Sequence, residues 1–260
     1  MSSLKRIFFE RRQLEKDRRL LISGDMFHHL FHVCRLKPGD QLILVDEQYQ
    51  ESLGNVLTLD NDQAWVEVHT EMALPSPRSK PTCDVHLYLA VLKASGMELA
   101  IQKSVELGVH TIVPVFFQRS VVRLKGDAAA DKMDHKLKRW QSIADAAASQ
   151  AGLVRCPAIK EPIQFKQIEA PWNQVSDQDT ILKFFCSEHE AETSLKAYAT
   201  QIEQARQLWV LTGPEGGLAQ EESRILATAG WHSVTFGPTI VRAETAPLVA
   251  LAQIQVLAGG

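Results

Sequence analysis

The chain has 260 residues, of which 45% are apolar, and its formal net charge at pH 7 is −3. This length allows one large domain or two modest ones, each able to bury a core. The N-terminus does not look like a signal peptide and no apolar run approaches the length of a membrane span, so we expect a soluble, cytoplasmic protein.

The spacing of cysteine and histidine argues against a metal centre. The four cysteines lie far apart and form no Cys-x-x-Cys pair, which disfavours a disulfide framework and a thiolate zinc site. His28 and His32 share a helix face beside His29, but no carboxylate or cysteine is spaced to complete a tetrahedral site. We therefore predict that the protein holds no metal.

Charge is unevenly distributed along the chain. Residues 1–20 carry seven Lys/Arg against three Asp/Glu, and residues 119–139 again carry seven against three, whereas residues 161–230 carry five against eleven. Either basic segment alone is compatible with an ordinary solvated face. The two together favour a polyanionic partner.

The N-terminal part predicts a small β-rich domain. Three β-prone runs, at 41–45, 53–59 and 64–68, are separated by Gly, Asp and Asn, and 25–36 is helical in pattern. Three prolines follow within residues 74–81, where neither a helix nor a central strand can continue. We place a linker at 74–82, between domains at 1–73 and 83–260.

The C-terminal part alternates strands and helices, which indicates an α/β domain. Its first helix has a capping-box pattern at Ser95 and Glu98 and a terminating glycine at Gly108. The predicted strands are 85–91, 111–117, 181–185, 208–212 and 233–236. The other predicted helices are near 131–151, 191–205, 219–229 and 245–258.

Two loops of this domain have chemical interest. The strand at 208–212 leads into Gly213–Gly217, where glycines let a flat ligand approach backbone N–H and C=O groups. A second loop, 236–246, contains Arg242 and Glu244 and precedes a helix that Thr245 or Glu244 would cap. An ordinary strand-to-helix turn and a surface ion pair remain alternatives, because neither a dinucleotide fingerprint nor a P-loop is present.

No nucleophile elbow or His-Glu-x-x-His motif occurs, so hydrolase and metalloprotease chemistry have no support. The residues by themselves indicate a nucleotide-like ligand and an RNA partner. The motifs in order are Arg6–Phe9, the His28–Arg35 segment with Gly39 and Asp40, Lys93–Gly108, Arg119–Arg123, Arg139 with Trp140, Gly213–Gly217 and Arg242–Ala246. Over nearly the whole chain, this series resembles the RsmE-type uridine-N3 methyltransferases of ribosomal small-subunit RNA, in the SPOUT superfamily.

The resemblance implies a PUA-like β-barrel that helps to hold RNA, followed by a SPOUT-type α/β domain with a deep trefoil knot. It further implies a homodimer that acts on 16S rRNA or the small ribosomal subunit, with S-adenosyl-L-methionine as cofactor. Such knots are rare, so periodicity alone does not predict one.

The same resemblance implies roles for individual residues. Arg242 and Glu244 would be catalytic. The cofactor would contact Leu182, Leu211, Thr212, Gly213, Pro214, Glu215, Gly216, Gly217, Phe236, Gly237, Ile240, Val241, Thr245 and Ala246. RNA would contact Arg6, Arg11, Arg12, Arg35, Lys93, Arg119, Arg123 and Arg139.

The chain departs from the family pattern near the expected acceptor site. Thr239 stands where arginine is usual, Ser149 and Leu153 replace a glutamate and an arginine, Asp46-Glu47 lacks the usual Asp-Gly, and Cys186-Ser187-Glu188 differs from the common Pro-Glu. The donor loops keep the pattern. Two alternatives therefore stay open: methylation of a different RNA base, and an RNA-binding assembly factor whose donor pocket has decayed.

Overall fold

The computed structural model describes residues 4–46, 50–69, 83–122, 129–153, 155–168, 181–187, 193–237 and 239–259. By its internal contacts the chain divides into two compact units. The first comprises Met1–Ser79 with Ala148–Cys156, and the second comprises Lys80–Ala147 with Pro157–Gly260. The linker predicted at 74–82 lies outside the described residues, which resume at Cys83.

The first unit is built on a five-stranded sheet in the order β1-β3-β4-β5-β2. Its strands are β1 (Lys5–Phe8), β2 (Arg19–Ser23), β3 (Gln41–Val45), β4 (Glu51–Leu59) and β5 (Gln63–Val68). β1 pairs with β3 in parallel, and the other pairs are antiparallel. The three predicted β runs are confirmed, and the sequence patterns missed β1 and β2.

Close packing between strands fixes one glycine of this sheet. A Cβ at Gly54 would lie 2.8 Å from side-chain atoms of both Leu44 and Val66. Those two residues are fully buried in the apolar core of the unit. Any side chain at position 54 would therefore displace the core, and only glycine fits there.

The predicted helix at 25–36 has a different geometry. A short α-helix, α1 (Gly24–Phe27), is followed by a π-helical turn over His28–Val33. Phe27, Leu30 and Phe31 are buried on one side of it, while His28 and His32 face outward. An α-helix and a π-helix both bury residues three or four positions apart, so the spacing of the apolar residues did not distinguish one from the other.

The second unit contains a parallel sheet in the order β12-β10-β11-β6-β7-β8, with β9 also paired to β7. Its strands are β6 (Asp84–Ala90), β7 (Thr111–Phe116), β8 (Ala158–Ile159), β9 (Ile163–Gln164), β10 (Ile181–Cys186), β11 (Gln207–Thr212) and β12 (His232–Val234). Every residue of β7 is buried, as expected for a parallel strand covered on both faces. The predicted α/β class is confirmed.

The helices of this unit are α2 (Ala94–Glu106), α3 (Ala129–Ala151, whose residues from Ala148 belong to the first unit), α4 (Ala199–Gln204), α5 (Gln220–Thr228) and α6 (Ala246–Leu257). A 3-10 turn, Leu195–Tyr198, precedes α4 and takes part of the predicted 191–205 helix. No helix among the described residues is long and apolar enough to cross a membrane.

The predicted capping box at the start of α2 is wrong. The helix begins at Ala94 with Lys93 at the N-cap, so Ser95 already lies inside the first turn. Glu98 instead accepts two hydrogen bonds from Arg139, at 2.7 and 3.0 Å. The glycine at the other end is confirmed, because Gly108 follows the helix with φ +77°.

Candidate functional site

The carboxyl ends of β10, β11 and β12 meet at one edge of the parallel sheet, because these three strands are neighbours. A cavity of about 300 Å³ opens there, within the range of small-molecule sites. Its lining includes nine residues that the sequence predicted as cofactor contacts: Gly213, Pro214, Gly216, Gly217, Phe236, Gly237, Ile240, Val241 and Ala246.

Leu182 is not at the cavity. It pairs with Leu208 near the start of β10, about 13 Å along the strand from Cys186 at four rises of about 3.3 Å. The residues that line the cavity from this strand are Cys186 and Ser187, at its carboxyl end. The carboxyl-end rule that identified the glycine loop would have found them, had it been applied to β10 as well.

Four more of the predicted cofactor contacts lie beside the cavity lining and not in it: Leu211, Thr212, Glu215 and Thr245. Leu211 and Thr212 are the fully buried end of β11. The Thr212 hydroxyl has no hydrogen-bond partner in the described part of the chain. The Glu215 carboxylate instead accepts the Lys93 backbone N–H at 3.3 Å.

The glycine loop is held from one side by the turn that follows β7. The Arg119 guanidinium donates to the carbonyl oxygens of Gly216, at 3.3 Å, and Leu218, at 3.1 Å. A Cβ at Gly216 would lie 3.2 Å from the Arg119 Cβ and 3.3 Å from its carbonyl oxygen. Arg119 itself lines the cavity, although the sequence resemblance assigned it to RNA.

The second loop brings Arg242 and Glu244 to the start of α6. The Arg242 carbonyl accepts the backbone N–H groups of Thr245, at 2.8 Å, and Ala246, at 3.0 Å, which turns the chain into the helix. Thr245 occupies the N-cap position as predicted, although its side chain makes no capping hydrogen bond, and Pro247 lies in the first turn. Ala243 and Thr239 line the cavity from this loop.

The other cavity-lining residues come from the start of α5 and from the chain around β12. The sequence did not assign these residues to the site, although they directly follow the glycine loop or directly precede the predicted contact Phe236. These residues are Leu218, Gln220, Ser223 and Thr235.

The basic residues predicted to contact RNA have varied surroundings. Lys93 and Arg35 are exposed, Arg35 with φ +59°. Arg11 pairs with Asp46 at 2.5 Å and Arg12 pairs with Glu10. The hydrogen bonds to Glu98 raise the pKa of Arg139 above its ordinary value. Arg123 lies outside the described residues.

Arg6 is the one described member of that set that is buried. Its guanidinium is paired with Glu51 at 2.9 Å, and both side chains are 8% exposed. It also donates to the Gly152 carbonyl at 2.5 Å, and its own carbonyl accepts the Ser149 hydroxyl. The structure thus places Arg6 in the interior of the first unit, where a phosphate has no access to it.

The chemistry of the cavity fits a nucleoside-containing ligand. Glycines expose backbone N–H and C=O groups along two loops, the buried Thr212 hydroxyl lies next to them, and the apolar side chains of Phe236, Ile240 and Val241 can pack against a flat ring. In the described part of the chain, no group of three His, Cys, Asp or Glu side chains could hold a metal ion.

Comparison with known proteins relates both parts of the chain to RNA methyltransferases. Residues 78–255 match the family model of the RNA methyltransferase domain, and residues 22–68 match that of the RNA methyltransferase PUA domain. A curated relative, ribosomal RNA small subunit methyltransferase E of Bacillus subtilis, is 28% identical over 96% of each chain.

Two similar solved structures hold S-adenosyl methionine. One is a ribosomal RNA small subunit methyltransferase E from Neisseria gonorrhoeae, 26% identical with a TM-score of 0.80 over 98% of each chain. The other is a putative methyltransferase from Legionella pneumophila, also 26% identical, with a TM-score of 0.82 over 98% of each chain. Their bound cofactor is the one predicted from the sequence, and the matched domain covers more than half of the residues. This chain therefore belongs to the RNA methyltransferase family, as its motifs predicted.

Proposed function

We propose that the protein is an S-adenosyl-L-methionine-dependent methyltransferase that methylates N3 of a uridine in 16S ribosomal RNA. The observation that carries the proposal is the glycine-lined cavity at the carboxyl ends of β10, β11 and β12. It lies in the part of the chain that matches the methyltransferase domain, and two similar structures hold this cofactor.

The residues of the cavity suit that cofactor. Backbone groups of Gly213–Gly217 and of the loop after β12 can hydrogen-bond the edge of an adenine, and the apolar side chains beside them can pack on its faces. When bound, the cofactor supplies a methyl group on a sulfonium sulfur.

Reaction at uridine N3 requires removal of a weakly acidic proton, so charge stabilisation and positioning dominate. Arg242, whose side chain is 86% exposed, can place its guanidinium beside the uracil oxygens as they gain negative charge. Glu244 lies 3.9 Å from it and can orient that guanidinium or accept the N3 proton. Little covalent chemistry by the protein is needed.

RNA is proposed to contact the exposed basic residues on each unit. These are Arg11, Arg12, Arg35, Lys93 and Arg139, with Arg123 kept as a proposal from the resemblance alone. Contacts of this kind go mainly to phosphate and make the affinity fall steeply with salt. Arg6 is withdrawn from the set because its guanidinium is buried against Glu51. Arg119 is left out because its guanidinium donates to the glycine loop.

Finer features of the fold and assembly are also proposals: a PUA-like barrel at 1–73, a linker at 74–82, a knotted SPOUT-type domain at 83–260, and a cytoplasmic homodimer. α6 supports the dimer, since it is apolar on nearly every side and Val256 is 76% exposed. A shallow groove between α2 and α6 has apolar lining at Leu107, Leu248, Val249 and Ala252, together with the ion-paired Lys103 and Glu106. Sedimentation as a monomer at micromolar concentration would contradict the dimer.

Calorimetry and a methylation assay test the proposal together. The protein should bind S-adenosyl-L-methionine and its demethylated product, and should transfer methyl groups to small-subunit RNA or to the subunit that contains it. Binding of neither compound would favour the alternative of a decayed RNA-binding assembly factor. Transfer to another atom or base would favour the alternative of a different target.

A further inference from the structure

A buried carboxylate on α5 joins two segments that flank the cavity. Glu222 is 5% exposed. One of its oxygens accepts the Gln118 backbone N–H at 2.8 Å, and the other accepts the Ala219 backbone N–H at 2.9 Å. Gln118 belongs to the turn after β7, and Ala219 is the N-cap of α5, so one side chain fastens two distant parts of the chain.

These two segments are the ones that shape the glycine loop. Gln118 is followed by Arg119, whose guanidinium donates to the carbonyls of Gly216 and Leu218. Ala219 follows Leu218 directly. The carboxylate of Glu222 therefore anchors the loop at its end and also anchors the turn from which Arg119 reaches the loop.

Further hydrogen bonds and a close contact hold the turn against the loop. The Ser120 hydroxyl accepts the Phe117 N–H at 2.9 Å, the Ser120 N–H donates to the Phe117 carbonyl at 3.1 Å, and Ser120 is buried. Backbone of Arg119 also lies against Gly216, which has no room for a Cβ without a shift. Movement of the turn would therefore move the loop.

We propose that Glu222 is a positioning residue for the methyl-donor site, and that it acts through Arg119 by holding the glycine loop 213–217 in the shape that admits the cofactor. This inference rests on the proposed function for the identity of the ligand. It assigns Arg119 to the donor loop instead of to RNA. Glu222 does not line the cavity, so its effect on the cofactor is indirect.

Glu222→Gln is the most informative variant because glutamine keeps the shape of the side chain and changes its hydrogen bonding. The amide has only one oxygen, and its NH₂ group would face a backbone N–H that has lost its acceptor. We expect the KM and Kd for S-adenosyl-L-methionine to rise by up to about tenfold, because the cofactor must then order a loop that has lost about one buried hydrogen bond's worth of restraint. The kcat at saturating cofactor and the Kd for RNA should stay near wild type.

Glu221→Gln is the matched control. Glu221 is the preceding residue of α5, is exposed, and pairs only with Arg224 three residues on, at 2.7 Å, among the contacts described for it. It should leave the KM unchanged. Arg119→Ala should raise the KM for the cofactor as Glu222→Gln does. A weaker RNA affinity with an unchanged cofactor KM in Arg119→Ala would overturn its assignment to the donor loop.

Amide hydrogen exchange of the protein without cofactor separates this inference from the proposed function. In Glu222→Gln the amides of Gln118 and Ala219, and those of the loop 213–217, should exchange faster than in wild type and in Glu221→Gln. Unchanged exchange there, or a lower melting temperature with an unchanged cofactor Kd, would overturn the positioning role. Failure of the wild-type protein to bind the cofactor would contradict the proposed function, and exchange would still decide whether Glu222 holds the loop.

Discussion

The guanidinium of Arg242 lies 3.9 Å from the carboxylate of Glu244, and the two side chains differ sharply in exposure, at 86% and 23%. Glu244 packs beside the start of α2, where its carboxylate lies 3.9 Å from the position that a Cβ of Gly96 would take. The pair thus has one member packed against the protein and one that extends into solvent. This arrangement suits a guanidinium that engages a base only when RNA is bound.

Arg242→Ala and Glu244→Ala should therefore lower the rate of methyl transfer without weakening donor binding. We expect a loss of about 10² to 10³ in the single-turnover rate for Arg242→Ala, the range found for one oxyanion-stabilising group. The measurement is single-turnover methylation at saturating cofactor and RNA. Arg224→Ala, which removes an exposed arginine on α5, is the control. Wild-type rates in both variants would contradict the assignment of the pair.

A methyl group at Gly216 should disturb the donor loop by steric contact alone. Its φ is not in the left-handed region, so alanine is allowed by the backbone, but the new Cβ would meet backbone and side chain of Arg119 at 3.2–3.3 Å. We expect Gly216→Ala to weaken cofactor binding by about 1.4 kcal/mol, which is tenfold.

Gly230→Ala separates this effect from general destabilisation. Gly230 has φ +80° and open space where a Cβ would lie, so alanine should cost about 1 kcal/mol of stability through backbone strain. Gly230 lies after α5 and does not line the cavity, so the Gly230→Ala variant should bind the cofactor with normal affinity. Equal cofactor affinities in the two variants, measured by calorimetry, would show that the contact with Arg119 is unimportant.

Chemical labelling of cysteines should report cofactor binding directly. Cys186 lines the cavity and is partly exposed, so bound cofactor should slow its alkylation several-fold. Cys34, partly exposed in the first unit, should be unaffected. Burial, with a smaller contribution from Asp84, raises the pKa of Cys83 to about 12, so that thiol should stay unlabelled near pH 8. Mass spectrometry after iodoacetamide treatment measures the labelling of all three cysteines. Equal labelling of Cys186 with and without cofactor would argue against this cavity as the cofactor site.

Breaking the buried pair of Arg6 and Glu51 should destabilise the first unit. Arg6→Met leaves a carboxylate buried without its partner, so the free energy of unfolding should fall by about 3 kcal/mol. Arg12→Met removes an arginine that is 83% exposed and should change it by less than about 0.5 kcal/mol. Urea denaturation compares them. A loss of RNA affinity in Arg6→Met without a loss of stability would restore the original assignment of Arg6 to RNA.

Local patterns in the sequence were sufficient for the elements with strong periodicity and punctuation. All five strands predicted for the parallel sheet lie within one or two residues of their observed bounds, and Gly108 terminates α2 as expected. The strands that were missed are very short or begin with a basic residue. β8 and β9 have two residues each and pair with β7, β1 begins with Lys5 and Arg6, and β2 begins with Arg19.

Local sequence patterns likewise identified some residues of the site and missed others. Its glycines and the Arg242–Glu244 loop are contiguous in sequence, so motifs identified them. Arg119 and Glu222 act through partners about a hundred residues away, Gly216 and Gln118, and no local spacing encodes such contacts. Arg6 shows the converse: a basic residue in a basic segment was assigned to RNA, and only the fold revealed the carboxylate buried against it.

Nucleoside analysis of ribosomal RNA tests the central claim most directly. Small-subunit RNA from cells that lack this protein should be digested and compared with wild type by mass spectrometry, together with cells that carry the Arg242→Ala variant. We predict that 3-methyluridine disappears from the deletion strain and is strongly reduced in the variant. An unchanged amount of 3-methyluridine in the deletion strain would contradict the claim.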